Sequence, residues 1–228
     1  MGRQVERPRR RRADELNMAT TRPAELLRFT RGERWVHRAT AILMGICLAT
    51  AAILYIDVLS QLFGNRALVE WIHVIAGICL PIPIIFGLLS KAFRADAGRL
   101  NRFTSNDWKW LRSRRRRDGV IPVGKFNAGQ KLNANFQVGA ILTMLGTGLI
   151  MRFANFWPVS LRTGATFVHD WMSYAILAIV LGHMYMANRD PYALRGMRTG
   201  YVSTSWAQRE HRAWAAREID RTKATKGS

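Results

Sequence analysis

The chain has 228 residues, 49% of them hydrophobic, and a mean hydropathy of −0.07, averages that suit an ordinary soluble protein of one or two domains. The averages conceal the order: apolar residues gather into four blocks with the charges between them, which excludes a soluble globule and reads as membrane spans joined by basic connectors. The formal charge of +20 would suit a nucleic-acid partner, but its placement argues against one, because 31 of the 35 Lys/Arg fall in residues 1–34 (ten), 91–131 (twelve) and 189–228 (nine).

The two intervening connectors hold only Arg66, Arg152 and Arg162. This is the positive-inside alternation, and it predicts that both termini and the middle loop are cytoplasmic. In chain order, residues 1–27 (MGRQVERPRRRRADELNMATTRPAELL) read as a basic, disordered tail. Its RRRR run is followed by no nearby apolar region with an A-x-A-like exit, so the first span is expected to remain in the mature protein. A four-span domain is predicted over 28–190, with spans at about 35–59, 67–93, 132–151 and 164–188, a cytoplasmic loop at 94–131 and a polar C-terminal tail at 191–228.

Each block is long enough for a hydrocarbon core of about 30 Å, and backbone in lipid must satisfy its own hydrogen bonds, so an all-α, integral-membrane four-helix bundle follows. Pro81 and Pro83 predict a kink in the second span. Trp108 and Trp110 suit the membrane interface, and Asn133, Asn135 and Gln137 are expected to face protein rather than lipid. Cys47 and Cys79 read as small buried hydrophobes, and without a C-x-x-C-H sequence covalent haem attachment has no support.

His37, His73, His169 and His183 lie within the predicted spans; His211, in the polar tail, reads as a solvated surface residue. A single intramembrane histidine can simply bond a neighbouring helix, but four are costly at that depth and point to function. Topology sorts them by depth into two pairs, His73 with His169 near the outer face and His37 with His183 near the cytoplasmic face. On the fourth span, fourteen residues between His169 and His183 leave a mismatch of about 40° and a rise of about 21 Å, so one helix can serve two stacked centres. Two imidazoles per level, without thiolates or a carboxylate cluster, suit neither a closed zinc site nor a di-iron bundle. Iron in a porphyrin needs only two axial ligands, so two b-type haems are the economical reading. Gly45, Gly77 and Gly182 near these histidines fit a flat macrocycle but equally fit close helix packing.

From about Arg28 to Ile219 the chain resembles the membrane cytochrome b (gamma) subunit of respiratory formate dehydrogenases, on RFTRGERWVHR, WIHVIAG, KFNAGQK, VHDWMSYAILAIVLGHMY and GYVSTSWAQREHRAW. The resemblance implies the same pairing of histidines. It also implies a quinone-reducing site near the inner haem, with Asn127 and Gly129 lining it and Gln130 and Lys131 in the same motif. Read from its residues alone, NAGQ is a loop before a helix, and Lys131 can snorkel to the interface. Arg38 can pair with an inner haem propionate, and Arg152 or Arg162 with an outer one; each also reads as an interfacial anchor. The implied partners are an iron–sulfur beta subunit and a molybdenum- or tungsten-containing alpha subunit on which formate is oxidised. The implied setting is anaerobic respiration in the bacterial inner membrane; a higher oligomer of the complex stays open. Three alternatives remain: a related cytochrome b subunit serving a nickel–iron hydrogenase or another oxidoreductase, a small transporter with a histidine proton relay, and a purely structural anchor.

Overall fold

Thr30 starts the first long helix through a reciprocal cap. Its hydroxyl accepts from the Glu33 N–H (3.3 Å) while the Glu33 carboxylate accepts from the Thr30 N–H (2.6 Å). Helix α1 therefore spans Arg31–Tyr55 and begins four residues before position 35. In this computed structural model, which describes residues 25–116 and 118–226, α1 stops at extended Ile56. The residues expected to finish the span form a separate short helix, α2 (Asp57–Phe63), closed by Gly64 at φ 67°.

The second span is α3 (Arg66–Cys79) followed by α4 (Ile82–Gly87), with the break at Leu80–Pro81 where proline withholds a helix donor. It ends short of residue 93 because Ser90 caps a new helix, α5 (Lys91–Leu100). The connector then contains a further helix, α6 (Ser105–Arg112). The third span, α7 (Ala128–Arg152), is capped by Asn127, so Gly129, Gln130 and Lys131 lie in its first turn rather than in a loop. The fourth span is α8 (Val159–Asn188). The four spans hold 25, 22, 25 and 30 residues. At about 1.5 Å per residue each exceeds the roughly 30 Å hydrocarbon core. Only 11–22% of each apolar stretch is buried within the chain, so most of that surface faces outward, as lipid-facing helices require. The protein is a multi-pass membrane protein.

The segment after the fourth span, expected as a polar tail, folds into three helices and a strand. It comprises α9 (Pro191–Thr199), a strand at Tyr201–Ser203, α10 (Thr204–Glu210) and α11 (Arg212–Lys226). The strand pairs antiparallel with Glu25–Leu27, Leu26 opposite Val202, so a small β-ribbon qualifies the all-α expectation. The disordered tail expected over 1–27 thus loses its last three residues to that ribbon; residues 1–24 lie outside the described residues. Leu26, Val202, Trp206, Ala207, Trp214 and Ala215 form the core of this cap, which gathers both ends of the described chain at one end of the bundle.

Within the bundle the first span packs on the second and the third on the fourth. Met44, Leu80, Ala140, Ile141 and Ile176 form the central core, flanked by Leu48, Met172 and Val180.

Candidate metal centres

Two histidine pairs stand on either side of that apolar core. At the level far from the cap, His73 of α3 and His169 of α8 have ring centroids 6.3 Å apart with planes at 64°. At the cap side, His37 of α1 and His183 of α8 are also 6.3 Å apart, at 52°. The helices that carry these imidazoles are not the pairs that pack backbone to backbone, so each pair of rings faces its partner across a gap.

The far pair is buttressed on both sides. Thr50 Oγ1 donates to Ile46 O (2.7 Å) and lies 2.8 Å from His73 Nδ1. Thr147 Oγ1 donates to Thr143 O (2.8 Å) and lies 2.9 Å from His169 Nδ1. A hydroxyl has one proton, and here it goes to the carbonyl one turn back, so each threonine accepts from Nδ1–H. That fixes the tautomer and leaves both Nε2 lone pairs free. Gly148 leaves room beside His169, where an added Cβ would lie 3.4 Å from Cε1.

The cap-side rings have no hydrogen bond of this kind among the described residues. Their surroundings are cationic: Arg34 (2.6 Å) and Arg38 (3.0 Å) both donate to Arg198 O in the last turn of α9. Arg34 Nε and Thr40 Oγ1, about one turn to either side of His37, are buried without a partner among the described residues. At the far level Arg152 stacks on Trp71 at 4.8 Å.

This donor set fits a haem. Two metal–imidazole bonds of about 2 Å, plus roughly 1.1 Å from each nitrogen to its ring centre, put opposed imidazole centroids about 6 Å apart. No group of three or more His, Cys, Asp or Glu suited to a metal occurs among the described residues, so each pair offers two imidazoles and no further side chain of these types. Orphaned polar atoms beside His37 suit the acidic edge of a haem.

The other expected site residues sit at the start of α7. Asn127 Oδ1 accepts from Gln130 N (2.9 Å) and Gln130 Oε1 from Asn127 N (3.0 Å), which leaves both side-chain amide nitrogens outside the cap. Gly129 lies against Trp110, which is buried instead of interfacial. No hydrogen bond joins Asn127 or Gln130 to His183 among the described residues. Lys131 does not snorkel: its Nζ is buried, 2.7 Å from Asp107 Oδ2 and 2.8 Å from Arg102 O. Burial would raise the Asp107 carboxyl, but the bonds from Lys131 and Thr104 outweigh it and hold it below its usual range. Beside this motif, Lys125 Nζ bridges Glu33 Oε1 (3.3 Å) and Asp96 Oδ2. Burial and the neighbouring Glu33 push the Asp96 carboxyl up to about 6.

His211 is 2% exposed and contradicts its reading as a surface residue. Thr50 and Thr147 are the supporting residues that sequence reasoning missed. Their signal was a hydroxyl inside an apolar span at the depth of a histidine, a weak one because Thr143 makes the same backbone bond with no histidine partner.

Three known cytochrome b subunits are similar to this chain. The nitrate-inducible formate dehydrogenase cytochrome b556(Fdn) subunit of Escherichia coli strain K12 is 29% identical over 178 residues, 75% of this chain and 79% of that protein. The formate dehydrogenase cytochrome b556 subunit of Haemophilus influenzae is 26% identical over 175 residues, covering 71% and 68%. The cytochrome b556(fdo) subunit of E. coli formate dehydrogenase is 23% identical over 210 residues, covering 86% and 94%. The family of prokaryotic cytochrome b561 proteins, whose cofactor is haem b, matches residues 28–200. With four apolar spans and two facing imidazole pairs already in place, this chain belongs to the prokaryotic cytochrome b561 family.

Proposed function

We propose that this chain is the di-haem cytochrome b subunit of a respiratory formate dehydrogenase in the bacterial inner membrane. It carries electrons from an iron–sulfur subunit at the outer face to quinone on the cytoplasmic side. Formate is oxidised on a separate molybdenum- or tungsten-containing subunit. The observation that carries the reading is the pair of facing imidazoles at each of two levels, both at 6.3 Å. The names of the relatives support formate as the electron source, and the basic connectors support a cytoplasmic cap.

Bound between two imidazoles, haem iron supplies reversible one-electron chemistry. The chain's own residues do the rest. His73 and His169 would hold the outer centre and His37 and His183 the inner one. Thr50 and Thr147 keep the protons of the outer rings on Nδ1, so each Nε2 presents a lone pair. The core of Met44, Ile141 and Ile176 excludes water between the levels. Asn127, Gly129, Gln130 and Lys131 border the quinone site; the amide nitrogens of Asn127 and Gln130 are donors suited to a quinone carbonyl, while Lys131 is tied to Asp107.

A pyridine-haemochrome assay on the purified complex tests this directly. About two haem b per chain are expected. Folded protein without haem overturns the reading and favours a transporter or structural anchor. Asn127→Ala is expected to slow re-oxidation by quinone with haem content unchanged; an unchanged rate removes Asn127 from that role.

A further inference from the structure

The loop entering α7 offers three consecutive carbonyls to the two ends of the folded chain. Val123 O accepts from Ala213 N (3.0 Å), Gly124 O from His211 Nδ1 (2.7 Å) and Lys125 O from Arg28 Nη2 (2.9 Å). Arg28 Nη2 also lies 3.0 Å from His211 Nε2. A carbonyl only accepts, so His211 carries its proton on Nδ1, and the Nε2 lone pair receives the guanidinium. Arg28 and His211 are each 2% exposed. Trp206 packs against both, 4.8 Å from the Arg28 guanidinium carbon and 5.0 Å from the His211 ring.

The Arg28–His211 contact joins residues 183 positions apart, and the side-chain bonds to the loop carbonyls span 97 and 87. The loop needs them: Ile121–Phe126 form no helix or strand, and Pro122 contributes no donor. Two residues beyond Lys125, Asn127 begins its reciprocal cap with Gln130.

We propose that Arg28 and His211 are positioning residues for quinone binding, holding the Gly124–Lys125 backbone so that Asn127 and Gln130 are presented in one fixed arrangement. This rests on the reading of the Asn127 motif as the quinone region. Neither residue touches quinone; both act through two peptide carbonyls. A buried clamp built from the first and last segments also makes the cap part of the site, since removing either end frees the same loop.

The test uses the complete complex, reduced with dithionite and re-oxidised by decylubiquinone. Hydrogen exchange of residues 120–131 and haem content are measured alongside. His211→Ala removes both side-chain bonds, whereas His211→Asn keeps a nitrogen donor at the Nδ1 position. For His211→Ala we expect faster exchange in the loop, unchanged haem and a half-saturating quinone concentration raised about five-fold or more, with the maximal rate little changed. His211→Asn is expected to restore much of the affinity. A wild-type half-saturation value in His211→Ala overturns the clamp, as does unaltered exchange. If that variant does not accumulate, Arg28→Lys replaces it, because Arg28 Nη2 alone serves both Lys125 O and His211 Nε2, and a lysine side chain, one bond shorter, does not bring its nitrogen to that position. Raised half-saturation then supports the clamp and a wild-type value overturns it. Asn127→Ala separates the two levels of the argument: if it slows re-oxidation while His211→Ala does not, the clamp alone fails, and if it has no effect, the quinone reading fails first.

Discussion

The two histidine pairs have the same ring separation but are supported by different parts of the molecule. At the far level, Thr50, His73, His169 and Thr147 form a chain that draws one residue from each of the four spans. At the cap side only α1 and α8 contribute rings, and the support comes from outside the membrane, through the arginines that grip Arg198 O. The far site is held by the bundle itself; the cap-side site depends on elements the bundle does not contain. On the proposed reading, the centre that would pass electrons to quinone is the one beside the polar cap, and the one that would relay them sits in the rigid frame of the bundle.

That contrast can be broken most forcefully at Lys131. Lys131→Met leaves Asp107 buried without its cation, a change expected to cost about 3–5 kcal/mol, and cap-side haem should be released before far-side haem on thermal ramping. Simultaneous loss of both haems, followed optically, would mean that the two levels share one support.

The converse variant, Thr50→Val with Thr147→Val, deletes both acceptors of the Nδ1 protons. Haem affinity at the far level is expected to fall about 10–100-fold, with the cap-side centre unaffected. Haem retention during dilution, resolved by the two redox components, measures it. An equal loss at both levels would contradict the assignment of the threonines.

A smaller effect lies in the pH dependence of the cap. Asp96, facing Glu33, Lys125 and Arg99, has its carboxyl raised to about 6 from 3.8, so the folded chain binds this proton more tightly than the unfolded one. Its favourable contribution is complete below about pH 4 and is lost as pH rises through about 6. The melting-temperature difference between wild type and Asp96→Asn should therefore move against the wild type from pH 4.5 to 7. A flat or opposite trend would show that Lys125 keeps Asp96 ionised throughout.

The sequence exposed the parts of this fold that depend on runs and depth. Twenty apolar residues announce a span without reference to any partner, and alternating span direction is enough to pair His73 with His169 and His37 with His183. Residues whose role depends on distant chain were illegible. Lys131 reads as a snorkelling cation because Asp107, its partner, lies 24 positions upstream on a separate helix. His211 reads as solvated because its burial requires Trp206, Trp214 and an arginine from the opposite end of the chain. Span ends shifted for a local reason: Thr30, Ser90 and Asn127 start helices by capping, which a hydropathy window does not register.

The central claim is that each iron is shared by the two histidines that face one another. Haem content and redox spectra of the four single His→Ala variants and of His73→Ala/His169→Ala measure it most directly. His73→Ala and His169→Ala should abolish the same spectral component, His37→Ala and His183→Ala the other, and the double variant should lose nothing beyond either single. Loss of different components from His73→Ala and His169→Ala, or additive loss in the double variant, would contradict the account.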